Sequence, residues 1–257
     1  MNEKCRLEQG DGGTVKTNDR SDLVRVAVLD FDGTVARGQS GSLLSTYLWR
    51  HGFISPRRTI ALAWWGIRYK LGLPQRQDEA RELVFGALAG HDAEEVDRIL
   101  SSFYAEVMSS RIRPAAIREV ARLHEDGCKA LLVSATFDVI AREAARTIGA
   151  DGYIATEMER DDRGYYTGRV HGTVVEGAEK VWSSVRWCDA HYGPGAWEFA
   201  YAYGDHRSDL GILSVAHEGA FAVCPHRAMA SLSRARGWQI VDWDEEDGVG
   251  ESGACRR

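Results

Sequence analysis

The chain has no excess of positive charge: its formal net charge is −6 over 257 residues, which leaves no electrostatic footprint for nucleic acid. Long apolar runs are missing as well. The most apolar stretch, residues 60–73, is interrupted by Arg68 and Lys70 and falls short of the roughly 20 residues that a bilayer span requires. Residues 1–22 hold no apolar segment of the secretory type, and their polar, glycine-containing composition reads as a disordered tail. Cysteine is sparse and unpaired in pattern. Cys5, Cys128, Cys188, Cys224 and Cys255 are odd in number, scattered and without metal-ligand spacing, which excludes a disulfide framework and implies reduced thiols in a cytoplasmic protein. No internal repeat is evident.

What remains is an ordinary globular composition, 44% apolar and 27% charged, long enough for one buried core plus a smaller inserted unit. Strand-like apolar runs at residues 26–29, 130–133, 152–155, 199–203 and 220–223 alternate, from Leu123 on, with helical patterns near 137–147, 178–191, 209–216 and 226–236. That alternation predicts a parallel sheet with crossover helices. A turn at residues 160–164, flanked by 154–158 and 165–170, reads as a hairpin added to this core. Residues 41–110 differ: helical spacing runs through 43–51, 57–71, 78–88 and 93–109, broken by Gly52, Pro56, Pro74 and Gly90. The expected organisation is an α/β core at 23–40 and 111–243, an all-helical cap at 41–110, and a loose acidic, glycine-rich tail at 244–257.

The chemistry begins where the first strand ends, in Val26-Ala27-Val28-Leu29-Asp30-Phe31-Asp32-Gly33-Thr34. An apolar run that stops in two carboxylates delivers them to the crevice where open α/β sheets bind ligands. Asp30 and Asp32 can address one site only if the backbone turns at Asp32-Gly33, and paired carboxylates there suit a hard cation of the Mg²⁺ type together with a phosphate. A second strand end carries Ser134, either a donor to a phosphate oxygen or a helix N-cap. Lys180 sits early on a helix, where the macrodipole disfavours a cation unless an anion is near. A third strand end, Tyr203-Gly204-Asp205-His206-Arg207-Ser208-Asp209, places two acids one helical turn apart. Four acids at one edge repel unless a cation joins them.

These four motifs, in this order, resemble the haloacid dehalogenase superfamily of phosphohydrolases, over nearly all of residues 24–243. The position of the helical block resembles subfamily IB, which includes phosphoserine phosphatases and carries a helical cap after the first strand. The resemblance implies a Rossmann-like parallel sheet and a Mg²⁺-dependent phosphatase acting on a small phosphate monoester through a phosphoaspartate. Asp30 is then the nucleophile, and Asp32 the general acid and later base, its carbonyl helping to hold the metal. Ser134 and Lys180 hold the phosphoryl group, beside Gly33, Thr34 and Ala135. Asp205 ligates the metal, and Asp209 supports it or orients Lys180. One departure bears on substrate: phosphoserine phosphatases typically carry a glutamate where this chain has Gln39.

Alternatives follow from the same residues. The run with Trp64 and Trp65, flanked by Arg57 and Arg58, is expected to pack within the cap or at a self-association face; its remaining use is interfacial contact by a lipid-phosphate phosphatase. A receiver-like signalling protein, phosphorylated on aspartate without turnover, fits less well, because it lacks both a cap and the Asp-x-Asp pair. The expected partner is thus a small phosphate ester, with no nucleic acid and no integral membrane span.

Overall fold

The computed structural model describes residues 22–54, 57, 60, 64 and 84–248. The N-terminal tail expected at 1–22 lies outside these except for Asp22, as do most of the two middle cap helices expected at 57–71 and 78–88 and all of 249–257. Seven strands form one sheet in the order β4-β3-β2-β1-β5-β6-β7. All neighbours run parallel except β3 and β4. The α/β class with a parallel core is therefore observed.

The central strand β1 (Val24–Asp30) has β2 (Lys129–Phe137) on one side and β5 (Trp197–Gly204) on the other. Its alternate residues enter two separate apolar layers, Ala27 and Leu29 on one face, Val26 and Val28 on the other, as a strand buried on both faces must. Beyond β2 lies β3 (Gly152–Arg160), and beyond β5 lie β6 (Gly219–Val223) and the short β7 (Gln239–Val241). The chain thus builds outward from β1 first one way and then the other, which puts the topological switch point at the C-terminal end of β1.

Helix α1 (Ser40–Arg50) follows the turn after β1 and buries Ser40, Leu44, Tyr47 and Leu48, the spacing of one helical face. Helix α2 (Ala93–Phe103), capped by the Asp92 carboxylate on the amides of Glu94 and Glu95, continues through a π turn and a 3₁₀ turn to Arg111. In the core, α3 (Pro114–Glu125) precedes β2, α4 (Asp138–Ile148) follows it, α5 (Ala178–Tyr192) precedes β5, and α6 (Leu210–Val215) follows it. Helix α7 (Arg227–Ala235) joins β6 to β7. The hairpin strand β4 (Tyr166–His171) and its turn dock on the segment leading into α2 through main-chain bonds from Gly90 to Tyr166, Tyr166 to His91 and Ala93 to Gly164. Gly168, at φ 81°, makes that approach possible: a Cβ there would lie 2.8 Å from the Ala89 Cβ.

Two expectations are corrected. The segment after Trp243 is not loose at its start: α8 (Trp243–Glu246) is capped by Asp242, buries Trp243 and Asp244, and carries ion pairs from Asp244 to Arg37 and Arg113 and from Asp247 to Arg37 and Arg118. Acidity reads as solvation in the sequence, whereas here Asp244 and Asp247 meet arginines more than a hundred residues earlier. The second correction concerns Trp64. It is 58% exposed, with Ile60 at 69%, so packing inside the cap does not account for it. A run apolar around most of its helix does not reveal which face meets the core. Trp65 lies outside the described residues.

Candidate active site

The site is built where β1 and β5 end side by side. After Asp30 the chain turns at Gly33, whose φ of 85° is left-handed and whose amide donates to the Ala36 carbonyl. A Cβ on Gly33 would lie 2.1 Å from an Asp205 carboxylate oxygen, so glycine is what lets the two strand ends approach. Gly204 does the same for Asp209, whose Cβ would stand 2.5 Å from any side chain placed there.

Three carboxylates, those of Asp30, Asp205 and Asp209, offer oxygens within 4.8 Å of one another. Buried Lys180 lies among them, donating to Asp30 and, at 2.6 Å, to Asp209. Its unfavourable place early in α5 is thereby explained: two anions hold it. Burial opposes its charge, but Asp30 and Asp209 overcome this and raise its pKa, so it is an ammonium. The Asp30 pKa is raised as well, which for an acid opposes the charged form. Burial first, then the charge of Asp209, pushes its pKa well above the usual carboxylate range, against the pull of Lys180.

The other oxygens are assigned unequally. Asp209 accepts from Lys180 on one oxygen and from the amides of Asp205 and His206 on the other, at 3.2 and 3.0 Å. The Thr34 hydroxyl donates to the second Asp30 oxygen at 3.0 Å. Asp205 keeps one buried oxygen, Oδ1, that accepts no hydrogen bond, and burial with the Asp209 charge raises its pKa to about 7. An orphaned buried oxygen on an acid that is grouped with two further acids fits a hard divalent cation, which would supply the missing positive partner.

The carboxylate of Asp32 is not part of this cluster. One of its oxygens accepts from the Ser40 amide and the other from the Ser40 hydroxyl, both at 2.7 Å. That hydroxyl also lies 2.8 Å from Thr136 Oγ1. The pair of acids, adjacent in sequence pattern, therefore divides into two environments, one among acids and Lys180, the other at the start of α1.

Ser134 is buried within β2 and is no helix cap, since α4 begins four residues later behind Phe137, which makes no side-chain cap. Its oxygen accepts from the Thr136 amide at 3.0 Å, which leaves the hydroxyl hydrogen available to another acceptor. Ala135 lies between these two residues. His206 caps the 3₁₀ turn Arg207–Asp209 by accepting from the Ser208 amide. Gln39 is exposed just before α1. Ser40, Thr136 and Arg113 went unremarked in the sequence because nothing local distinguishes them; each gains its place from a long-range contact.

A mostly parallel sheet with acids at its switch point places the chain among α/β proteins whose ligand site lies at the strand ends. A sequence profile of the haloacid dehalogenase-like hydrolase family matches residues 27–214, and the chain belongs to that family. It is 28% identical over 226 residues to phosphoserine phosphatase SerB1 of Mycobacterium tuberculosis, covering 86% of this chain and 72% of that protein. Among solved structures, a protein of unknown function from Bordetella pertussis Tohama I superposes with a TM-score of 0.75 at 28% identity, covering 86% of this chain and 99% of that one. A probable phosphoserine phosphatase from Vibrio cholerae shares the fold, with a TM-score of 0.60 at 16% identity over 92% of this chain and 68% of that one.

Proposed function

We propose that the protein is a Mg²⁺-dependent phosphatase that hydrolyses a small phosphate monoester through a phosphoaspartate on Asp30, with a helical cap of the subfamily IB kind. The observation that carries this reading is the buried Asp30 carboxylate, held by Lys180 and Thr34 opposite the unpartnered oxygen of Asp205. An Asp30 oxygen attacks phosphorus while the bond from phosphorus to the ester oxygen breaks, and Asp32 gives that oxygen its proton. Asp32 then takes a proton from water as the water attacks the aspartyl phosphate, which releases phosphate and restores Asp30. Lys180 and the Ser134 hydroxyl hold the transferring oxygens, with Gly33, Thr34 and Ala135 lining the same strand ends. Asp209 keeps Lys180 in place. Mg²⁺ would be held by Asp30 and Asp205 with the Asp32 carbonyl, and when bound supplies charge that offsets an anion approaching an anion.

The likeness to SerB1 supports a phosphorylated small alcohol as substrate. Gln39, neutral where phosphoserine phosphatases typically carry a glutamate, favours a substrate other than phosphoserine itself. Exposed Ile60 and Trp64, with exposed Arg57 on the same helical side, favour a second reading in which the ester is a lipid phosphate met at a surface. A cytoplasmic setting belongs to the proposal; Cys128 and Cys188 are buried free thiols, and no helix among the described residues is long and apolar enough to cross a membrane. Phosphate release should be measured against phosphorylated amino acids, amino alcohols, sugars and glycerol, and against a lipid phosphate in anionic vesicles, with Mg²⁺ and with chelator. Turnover of one class that chelator abolishes is expected. Undiminished turnover in chelator, or none on any ester, would overturn the reading.

A further inference from the structure

The turn that carries Asp32 and Thr34 has an electrostatic difficulty of its own. The carbonyls of Gly33, Thr34 and Ala36 converge, and main-chain oxygens aimed at one point repel unless a cation lies there. Arg113 supplies it. One terminal nitrogen, Nη1, donates to Gly33 and Thr34 at 2.6 Å each and approaches Ala36 at 3.4 Å. The other edge of the same guanidinium forms a two-pronged pair with Asp244, from Nε at 2.9 Å and Nη2 at 3.1 Å. Arg113 is 4% exposed and Asp244 likewise, so neither is a surface ornament.

The backbone reinforces the arrangement. Arg113 sits where the cap returns to the core, its amide donating to the Val35 carbonyl, while the Arg37 amide donates to Arg111. One side chain therefore touches the turn after the first strand, the exit from the cap and the C-terminal helix α8. A lysine could not do this, because only the planar fork reaches carbonyls on one edge and a carboxylate on the other.

We propose that Arg113 is a positioning residue for the reaction: clamped by Asp244, it fixes the Gly33–Ala36 turn and with it the places of Asp32 and Thr34 relative to Asp30. This inference rests on the reading of the Asp30 cluster as the reacting centre. Arg37 provides the internal control, because it also pairs with Asp244, at 2.6 Å, but donates to none of the turn carbonyls with its side chain among the described bonds.

The test compares Arg113→Gln and Arg37→Gln in the full chain by two measurements: hydrogen exchange of the main chain over residues 33–36, and steady-state hydrolysis of p-nitrophenyl phosphate with Mg²⁺. Arg113→Gln is expected to speed exchange in the turn and to lower kcat by roughly 10²-fold with KM little changed, the cost of a misplaced reacting group. Arg37→Gln should match wild type in both. If Arg113→Gln does not fold, Asp244→Asn, which leaves the carbonyls their arginine but frees its other edge, should give the same split in smaller measure. Equal behaviour of the arginine variants, or faster exchange with kcat intact, would overturn the proposal. A wild type that hydrolyses no ester counts against the phosphatase reading, and the exchange comparison then decides by itself whether Arg113 holds the turn.

Discussion

Asp32, the general acid and base of the proposed reaction, has both carboxylate oxygens engaged by one residue. Ser40 gives it an amide and a hydroxyl, each at 2.7 Å, and Thr136 steadies that hydroxyl from β2. The first residue of α1 thus orients a carboxylate from the turn after β1. Replacing Ser40 with alanine removes one of the two bonds while keeping the helix. The expected result is a kcat lowered by about tenfold, the share one well-placed hydrogen bond to a charged group carries, with an altered pH–rate profile and an unchanged KM. An unaltered profile would show that Asp32 does not depend on Ser40. The acids themselves were legible in the sequence because strand ends concentrate them, at Asp30, Asp32, Asp205 and Asp209. Ser40 and Arg113 were not: Ser40 bonds Asp32 only through the fold of the intervening turn, and Asp244 lies 131 positions from Arg113.

Among the elements, most sheet strands and core helices were legible to within a few residues, because apolar runs bounded by glycine and polar residues leave little choice; the short edge strand β7 and helix α3 were not read. The hairpin at Arg160–Tyr166 was readable from its turn chemistry, and Asp161 accepts from the amides of Arg163 and Tyr165 as turn aspartates do. Helix α8 was not, because its six-residue neighbourhood, Asp242 to Asp247, resembles a solvated acidic tail until its arginines are known. The Asp244 pair gives this element a pH signature. Against the cost of burial, the hydrogen bonds from Arg113 and Arg37 hold the Asp244 pKa down at about 2, below its ordinary 3.8. A depressed acid stabilises the fold fully above the unfolded value, and that contribution is lost as pH falls from 3.8 toward about 2. Asp244→Asn should cost roughly 3 kcal/mol at neutral pH, as broken buried pairs do, and the gap to wild type should close in acid. Denaturant unfolding across pH measures it; a gap independent of pH would show that the pair contributes no charge-dependent stability.

At the scale of the whole molecule, topology explains why residues so far apart in sequence meet. The sheet grows outward from β1 in both directions, so the ends of β1, β2 and β5 form one crevice. Ser40 at the start of α1 and Arg113 ahead of α3 both contact the turn after β1, so in the proposed organisation the helical insert begins and ends against that turn. Family membership was legible because four short motifs fall in order along this topology. The substrate was not, because fold and motifs do not by themselves fix the side chains that would recognise it. The measurement that bears most directly on the central claim is acid quenching of the enzyme during turnover of a hydrolysed ester with Mg²⁺, followed by peptide mass mapping, for wild type and for Asp30→Asn. A phosphoryl group on Asp30 in the wild type, with neither label nor turnover in a folded Asp30→Asn protein, is the expected result. Label on another residue, or full turnover by Asp30→Asn, would contradict it.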